Sequence, residues 1–395
     1  MRIVILFTVL SSLQLYGQSK IDKPAGNLEF AKILNSEKTS NKLSDFKSKM
    51  VILDFWATWC APCIASFPHL EGLQNKFVNE IKIITVTDES EERINKFLQK
   101  RKMSLPIVID KERKLASEFP HRSIPHTVII DENGIVKAVT TPEQISEETL
   151  RQIIAGQQIN LSEKIDNMKF DASRPLSSND NFKYQITVTP FQKGFPSMSN
   201  PTGGSGVYKD RRILCTNLSP KSLYEVAYQF PVSIRTVIEV KNKKEFDWSE
   251  ETAICFDLIV PEEIGEKRFD IMKQHLDYLY NYKPVIEKRP GTVKILKRID
   301  GQNPVTKQAT GGKKEVSYGG HGLSMKNARI NTIAEFLESE LNVPVIDETK
   351  LNGLYDLELA WYNENPDQIN EELKKIGLEV INGTRDIDIL VIYDK

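Results

Sequence analysis

Apolar and polar positions follow a clear order over the first 160 residues. Val51 to Trp56 is apolar except for Asp54, the pattern of a strand covered on both faces. Ile64, Phe67, Leu70 and Phe77 then recur at helical spacing, which predicts a strand, a short loop and a helix. Lys82–Thr87 reads as a second strand, Glu91–Lys102 as a helix with Ile94, Phe97 and Leu98 on one face, and Leu105–Asp110 as a third strand. Val128–Ile130 and Ile135–Val139 flank Asp131-Glu132-Asn133-Gly134, a hairpin signal with Asn-Gly at its turn. Glu147–Ala155 closes this region as a helix.

The pattern lapses over 158–182, where Ser173-Arg174-Pro175-Leu176-Ser177-Ser178-Asn179-Asp180 is polar and rich in breakers, so a linker is predicted there. Beyond it, an α+β domain over 183–395 shows a possible internal repeat. Asn217–Ala227 can be laid over Asn327–Leu337, with asparagines, glutamates and several apolar positions coinciding. Each stretch leads to an alternating strand, Phe256–Val260 or Tyr355–Leu359, then to a helix around Phe269–Tyr280 or Pro366–Ile376. Each half is then expected to end in its own hairpin, turning at Pro290-Gly291 and at Asn382-Gly383. The halves would run over 183–300 and 318–395, with flexible loops at Asn200–Gly206 and Gln308–Lys314. Chance similarity between amphipathic helices is the alternative, because apolar periodicity repeats easily.

At 395 residues the chain is long enough for two domains. Its 53 basic and 54 acidic residues leave a net charge of −1, which offers no whole-chain argument for nucleic acid or an anionic membrane. The basic clusters Lys209–Arg212 and Lys241–Lys244 read as solvated loops. Arg2, the apolar stretch Ile3–Leu10 and a small residue at Gly17 make residues 1–17 a signal-peptide pattern, with an uncleaved anchor as the other reading. The stretch is shorter than the roughly 20 residues of a membrane span. A soluble, exported, periplasmic protein is expected.

The chemistry centres on Trp59-Cys60-Ala61-Pro62-Cys63, two thiols three positions apart at a predicted helix N-terminus. There the unpaired N–H groups and the helix dipole favour a thiolate, and the second thiol can attack a mixed disulfide formed by the first. A structural zinc site would need two further ligands at matching spacing, and none accompanies the pair, so no metal is expected. An inert staple is the remaining alternative. Cys215 and Cys255 lie in strand-like runs, where they form either a disulfide between neighbouring strands or two buried free thiols. His275, His321, Asp347, Glu348 and Asp356 have no metal-like spacing and read as structural or surface residues.

Four segments, Leu43–Lys47, Phe55–Cys63, Ser123-Ile124-Pro125 and Val128–Gly134, occur in the order found in the TlpA/ResA-like thiol–disulfide oxidoreductases of the thioredoxin superfamily, which residues 26–157 resemble. The resemblance implies an α/β thioredoxin-like fold, Cys60 as attacking thiolate, Cys63 as resolving thiol and Pro125 as a cis-proline facing them. Trp59, Ala61, Pro62 and Ile124 would line the substrate groove. Asp54 corresponds to the aspartate that thioredoxins use to move the resolving thiol's proton; a hydrogen-bonded strand-end aspartate is the other reading. Glu89 corresponds to a glutamate that ResA-like proteins hold near their cysteines, or is a helix N-terminal acid. His126 departs from the usual threonine and either modulates the thiolate or is structural. Residues 180–395, carrying Asn342–Leu359, resemble a functionally uncharacterised family of bacterial exported C-terminal domains, whose usual glycine is replaced here by Lys350. Together these features imply an exported oxidoreductase without cofactor beyond its cysteine pair. It would reduce disulfides of envelope proteins and be recharged by a membrane thiol donor. The alternatives are an oxidant or isomerase, or an envelope docking protein in which the redox domain is secondary.

Overall fold

The computed structural model describes residues 20–395 apart from 27, 30–31, 37–41, 43–47, 158, 160, 178–182, 202–205, 231–232, 303–306, 310, 320–321 and 361–367. The leader pattern, the Leu43–Lys47 segment and the centre of the Asn200–Gly206 loop thus lie outside the described residues. The chain passes from the bulk of one compact unit to the bulk of a second between Phe170 and Asp171.

The chain up to Phe170 runs β1 (Ile33–Leu34), β2 (Met50–Phe55), α1 (Ala61–Lys76), β3 (Ile81–Thr87), α2 (Glu91–Lys100), β4 (Ile107–Ile109), α3 (Lys114–Glu118), β5 (His126–Asp131), β6 (Val136–Thr140) and α4 (Glu147–Ile154). Its sheet has the order β1-β4-β3-β2-β5-β6. Strands β4, β3 and β2 are parallel, and β5 and β6 continue antiparallel. All of β2 is buried, as an apolar run at the centre of a sheet covered on both faces requires. Leu53, Phe55, Ile84, Val86, Val108, Val128 and Ile130 form one apolar cluster, while Ile52, Ile83 and Ile129 are buried by the opposite alternation.

The Asn133-Gly134 signal does turn the chain. Asp131 Oδ1 accepts from the N–H of Asn133 and of Ile135, both at 2.9 Å, and Gly134 takes φ +75°. Helix α4 is capped by Ser146, whose hydroxyl accepts from Thr149 N–H at 3.1 Å.

Within the stretch read as a linker, residues 161–170 are tied to this unit. Lys164 N–H donates to Val139 O at 2.9 Å, Thr140 Oγ1 to Ser162 O at 3.1 Å, and Arg122 to Asn167 O at 3.2 Å. Residues 172–176 are held in the second unit by a fully buried ion pair. Arg212 binds Asp257 through Nε and Nη2 at 2.7 and 3.0 Å, and its guanidinium also donates to the carbonyls of Ala172, Ser173 and Arg174. Leu176 N–H donates to Asp257 Oδ2 at 2.9 Å. Polar composition at 158–182 thus conceals buried hydrogen-bonding partners.

The second unit repeats one element order. Its first half has β7 (Gln185–Pro190), β8 (Met198–Asn200), β9 (Arg212–Leu218), α5 (Pro220–Tyr228), β10 (Thr236–Glu239), β11 (Ile254–Ile259), α6 (Arg268–Leu279) and β12 (Tyr282–Arg298). Its second half has β13 (Lys307–Gln308), β14 (Glu315–Gly319), β15 (Gly322–Ala328), α7 (Asn331–Leu341), β16 (Val345–Asp347), β17 (Tyr355–Ala360), α8 (Gln368–Lys375) and β18 (Leu378–Asp394). The sheets β7-β11-β9-β8 and β13-β17-β15-β14 match strand for strand. So do their irregularities. Each has a bulge before the helix, and Asn217 and Asn327, the asparagines that superpose in sequence, both take left-handed φ, 50° and 49°. Asn217 N–H faces Cys255 Sγ at 3.4 Å; Asn327 N–H donates to Asp356 Oδ1 at 2.8 Å.

The expected hairpins are absent. Strands β12 and β18 each continue for 17 residues and pair antiparallel along their whole length. With β10 parallel to β18 and β16 parallel to β12, they form a central sheet, β10-β18-β12-β16, to which both halves contribute equally. Pro290 pairs with Asp386 and Gly291 with Arg385, in mid-strand. The glycines provide clearance instead of turning: a Cβ on Gly291 would stand 3.1 Å from Ile387 Cδ1, and one on Gly383 only 2.4 Å from Ile295 Cδ1.

The cross-strand disulfide is also absent; Cys215 and Cys255 are buried free thiols. Cys215 lies opposite Phe256, so Cys255 is one residue out of register and points to the other face of the sheet. Burial raises both thiols above the usual cysteine pKa. Lys350, standing where the resembling family usually has glycine, takes φ 59°, the left-handed conformation that glycine adopts without penalty.

Candidate active site

Strand β2 ends at Phe55 and the chain reaches Cys60 at the mouth of α1, with Ala61 and Pro62 in the first turn and Cys63 behind them. Proline at this position gives up an N–H that no helical carbonyl would have met. Cys60 and Cys63 are joined as a disulfide. Cys63 is fully buried and Cys60 4% exposed, so an incoming group reaches Cys60 first. Trp59 is 56% exposed, and Ala61 and Pro62 are also exposed, forming a partly apolar rim. Ser66 Oγ donates to Cys63 O at 2.7 Å, and Trp56 packs edge-on against Phe67 beneath.

Strand β5 runs antiparallel to β2, with His126 opposite Phe55. The turn before β5 and the loop after β2 therefore emerge at the same end of adjacent strands. That turn is Arg122-Ser123-Ile124-Pro125, and its Ile124–Pro125 peptide is cis. Ile124 and Pro125 are half-buried.

Asp54 is 0% exposed and receives one hydrogen bond, from Thr127 Oγ1 to Oδ1 at 2.8 Å; Oδ2 has no partner. Burial pushes its pKa up from 3.8 to about 7; the Thr127 bond opposes the shift and the Glu143 charge adds to it. A carboxyl with that pKa gives and takes a proton near neutral pH. Glu89 lies between β3 and α2, half-buried, with its N–H donating to Thr87 Oγ1 at 3.3 Å.

His126 is buried at 3% exposure, and neither ring nitrogen has a hydrogen-bond partner. Burial, reinforced by the Lys164 charge, pushes its pKa down to about 2, so the ring is neutral. It stacks on His121 with centroids 4.5 Å apart and lies 5.5 Å from Phe55. Sequence reasoning did not single out His121, which this stacking brings against His126. It also missed Lys164 and Asp166, which lie in the segment read as linker. Among the described residues no group of three or more His, Cys, Asp or Glu side chains could hold a metal, and no helix is long and apolar enough to cross a membrane.

Residues 21–139 match the model of the AhpC/TSA family, and residues 260–390 match a family described as a protein of unknown function (DUF3738). The thioredoxin-like protein YneN of Bacillus subtilis is 35% identical over 27% of this chain and 64% of its own length. The thiol-disulfide oxidoreductase ResA of Geobacillus thermodenitrificans is 30% identical over 38% of this chain and 90% of its own. That of Halalkalibacterium halodurans is 34% identical over 30% and 69%. The matched stretch thus spans just under two thirds of YneN and between 57% and 90% of the matched ResA proteins. Among solved structures, the exposed lipoprotein thioredoxin Etrx1 of Streptococcus pneumoniae is 26% identical, covering 33% of this chain and 97% of its own, with a TM-score of 0.28. The sheet order, the cysteine pair at the mouth of α1 and the extent of the ResA match lead to one conclusion: through its first domain this chain belongs to the ResA family of thioredoxin-like thiol-disulfide oxidoreductases.

Proposed function

We propose that this protein is an exported thiol–disulfide oxidoreductase that reduces disulfides in proteins of the cell envelope. The observation that carries the reading is the Cys60–Cys63 disulfide at the N-terminus of α1, with its resolving sulfur sealed inside and its attacking sulfur at the surface edge. Export is supported by the leader pattern of residues 1–17. The reducing direction and the electron donor, a membrane thiol protein, follow from the likeness to ResA.

In the reduced protein, the first-turn N–H groups of α1 and its dipole stabilise the Cys60 thiolate. That thiolate attacks one sulfur of a substrate disulfide, forming a mixed disulfide and releasing the first substrate thiolate. Cys63 then loses its proton and attacks Cys60 Sγ. The mixed disulfide breaks, the second substrate thiolate leaves, and the Cys60–Cys63 bond carries the two electrons' worth of oxidation. Asp54, buried on the preceding strand with a pKa near 7 and one uncommitted oxygen, receives the Cys63 proton. Trp59, Pro62, Ile124 and Pro125 form the wall against which the substrate chain lies.

Reduction of an insulin-type disulfide, driven by a dithiol reductant, tests this. Cys60→Ser should abolish turnover. Cys63→Ser should accumulate a mixed disulfide with envelope proteins. Asp54→Asn should slow resolution about 10²-fold while changing the first attack far less. Turnover by Cys60→Ser would overturn the assignment, and equal slowing of both steps would reduce Asp54 to a structural role.

A further inference from the structure

The turn assigned above to the substrate wall is held from behind by residues outside the matched family segment of 21–139. Asp166 is the hub. Its Oδ2 accepts from Arg122 N–H at 3.1 Å, its Oδ1 from Ser123 Oγ at 3.1 Å, and it pairs with Lys164. Lys164 in turn donates to Ser123 O at 3.0 Å. Both side chains are only 13% exposed, although Arg122 and Ser123 are exposed themselves. Burial lowers the Lys164 pKa. Burial also works against the Asp166 carboxylate, yet its hydrogen bonds from Lys164, Arg122 and Ser123 keep its pKa below the usual value. Two opposite charges, hydrogen-bonded at nearly every available atom, thus grip two consecutive residues of one turn. The grip is anchored by Lys164 N–H to Val139 O and by Arg122 to the carbonyls of Asn167 and Phe170, so the 161–170 strap is itself fixed to β6.

We infer that Lys164 and Asp166 are positioning residues that set the substrate-facing backbone of Ser123 and Ile124, and so act on the docking of polypeptide disulfides. This rests on the oxidoreductase reading above. The reasoning is geometric. Ser123 carries the strap's bonds on its carbonyl and hydroxyl, one residue before Ile124, and the turn has no regular secondary structure to hold it. A buried pair with directional bonds holds such a turn far better than surface charges would. A wall displaced by about 1 Å spoils the approach of a chain that must lie along it. A small disulfide that meets only the Cys60 sulfur does not use that wall.

The test compares two substrates on the full chain: a peptide of about ten residues closed by a disulfide, and a small aromatic disulfide. Asp166→Ala should lower the ratio of kcat/KM for the peptide to that for the small disulfide about tenfold, chiefly through KM. Asp166→Asn, which retains an acceptor and the shape, should recover part of the ratio. Ser123→Ala, a change on the surface that leaves the fold intact, should lower it about threefold even if Asp166→Ala does not fold. The pH dependence of Cys60 alkylation should be the same in all three. Proportionate loss on both substrates, an unchanged ratio in Ser123→Ala and Asp166→Asn, or a shifted alkylation profile would each overturn the inference. Inactivity of the unsubstituted protein on both substrates would instead overturn the oxidoreductase reading, and this inference with it.

Discussion

The same dipeptide has opposite outcomes in the two domains. Asn133-Gly134 turns the chain between β5 and β6, whereas Asn382-Gly383 runs straight through the middle of β18. In the first domain the turn is satisfied locally: Asp131 caps it, Gly134 takes φ +75°, and nothing stands within 4 Å of where its Cβ would be. In the second, the glycine is needed because a distant residue, Ile295, occupies the space of the missing side chain. A turn signal states that a turn is permitted. Whether it is used depends on whether a longer ladder offers more, and here 17 paired residues per strand outweigh two short hairpins.

The largest expected effect separates the domains by their buried charges. Arg212 and Asp257 are wholly buried, and removing one leaves the other unpaired and three carbonyls without a donor. Arg212→Met should destabilise the second domain by about 3–5 kcal/mol and leave the unfolding of the first unaltered. Denaturant unfolding followed by a separate probe in each domain would show it. Equal shifts of both transitions would mean that the domains do not unfold independently.

Next in size is the pH dependence of the first domain. Asp54 has a folded pKa of about 7 against an ordinary 3.8, so the folded state favours its protonated form. Its contribution to stability is therefore fully present below about pH 4 and is lost as pH rises through 7, a few kcal/mol at most, at about 1.4 kcal/mol per unit. The stability difference between Asp54→Asn and the parent should grow in favour of the variant from about pH 4 to 7 and then level off. A difference that stays flat across that range would contradict a buried, protonated carboxyl.

The smallest effect probes the glycines directly. Gly134→Ala should cost about 1–2 kcal/mol through its backbone alone, with no second-site change relieving it. Gly383→Ala should cost a comparable amount through contact with Ile295, and Ile295→Val should recover part of it. A double-mutant cycle measured by thermal unfolding decides the matter. Absence of coupling between Gly383 and Ile295 would break the account of the β12–β18 ribbon.

Much of the first domain was legible because its signals are local. Continuous apolar runs located β2 and β3, and helical spacing located α1. The Asn-Gly turn located one hairpin, and two thiols three positions apart identified the chemistry. The superposable asparagines of the second domain marked equivalent bulges, because a left-handed residue is needed at the same point in each half. What the sequence alone determined is therefore composition-level class, element type and the position of chemistry that depends on spacing.

Only tertiary structure decided the rest. That β12 and β18 pair end to end is a property of two segments about a hundred residues apart in the chain. That Cys215 and Cys255 face opposite ways follows from a one-residue register. Arg212 and Lys164 lie in polar stretches that read as solvated surface, yet both are drawn inside by partners far along the chain. Local spacing encodes what a segment can be; which partners it meets, and hence which polar residues become buried and which turns are used, is settled by long-range pairing that no local pattern records.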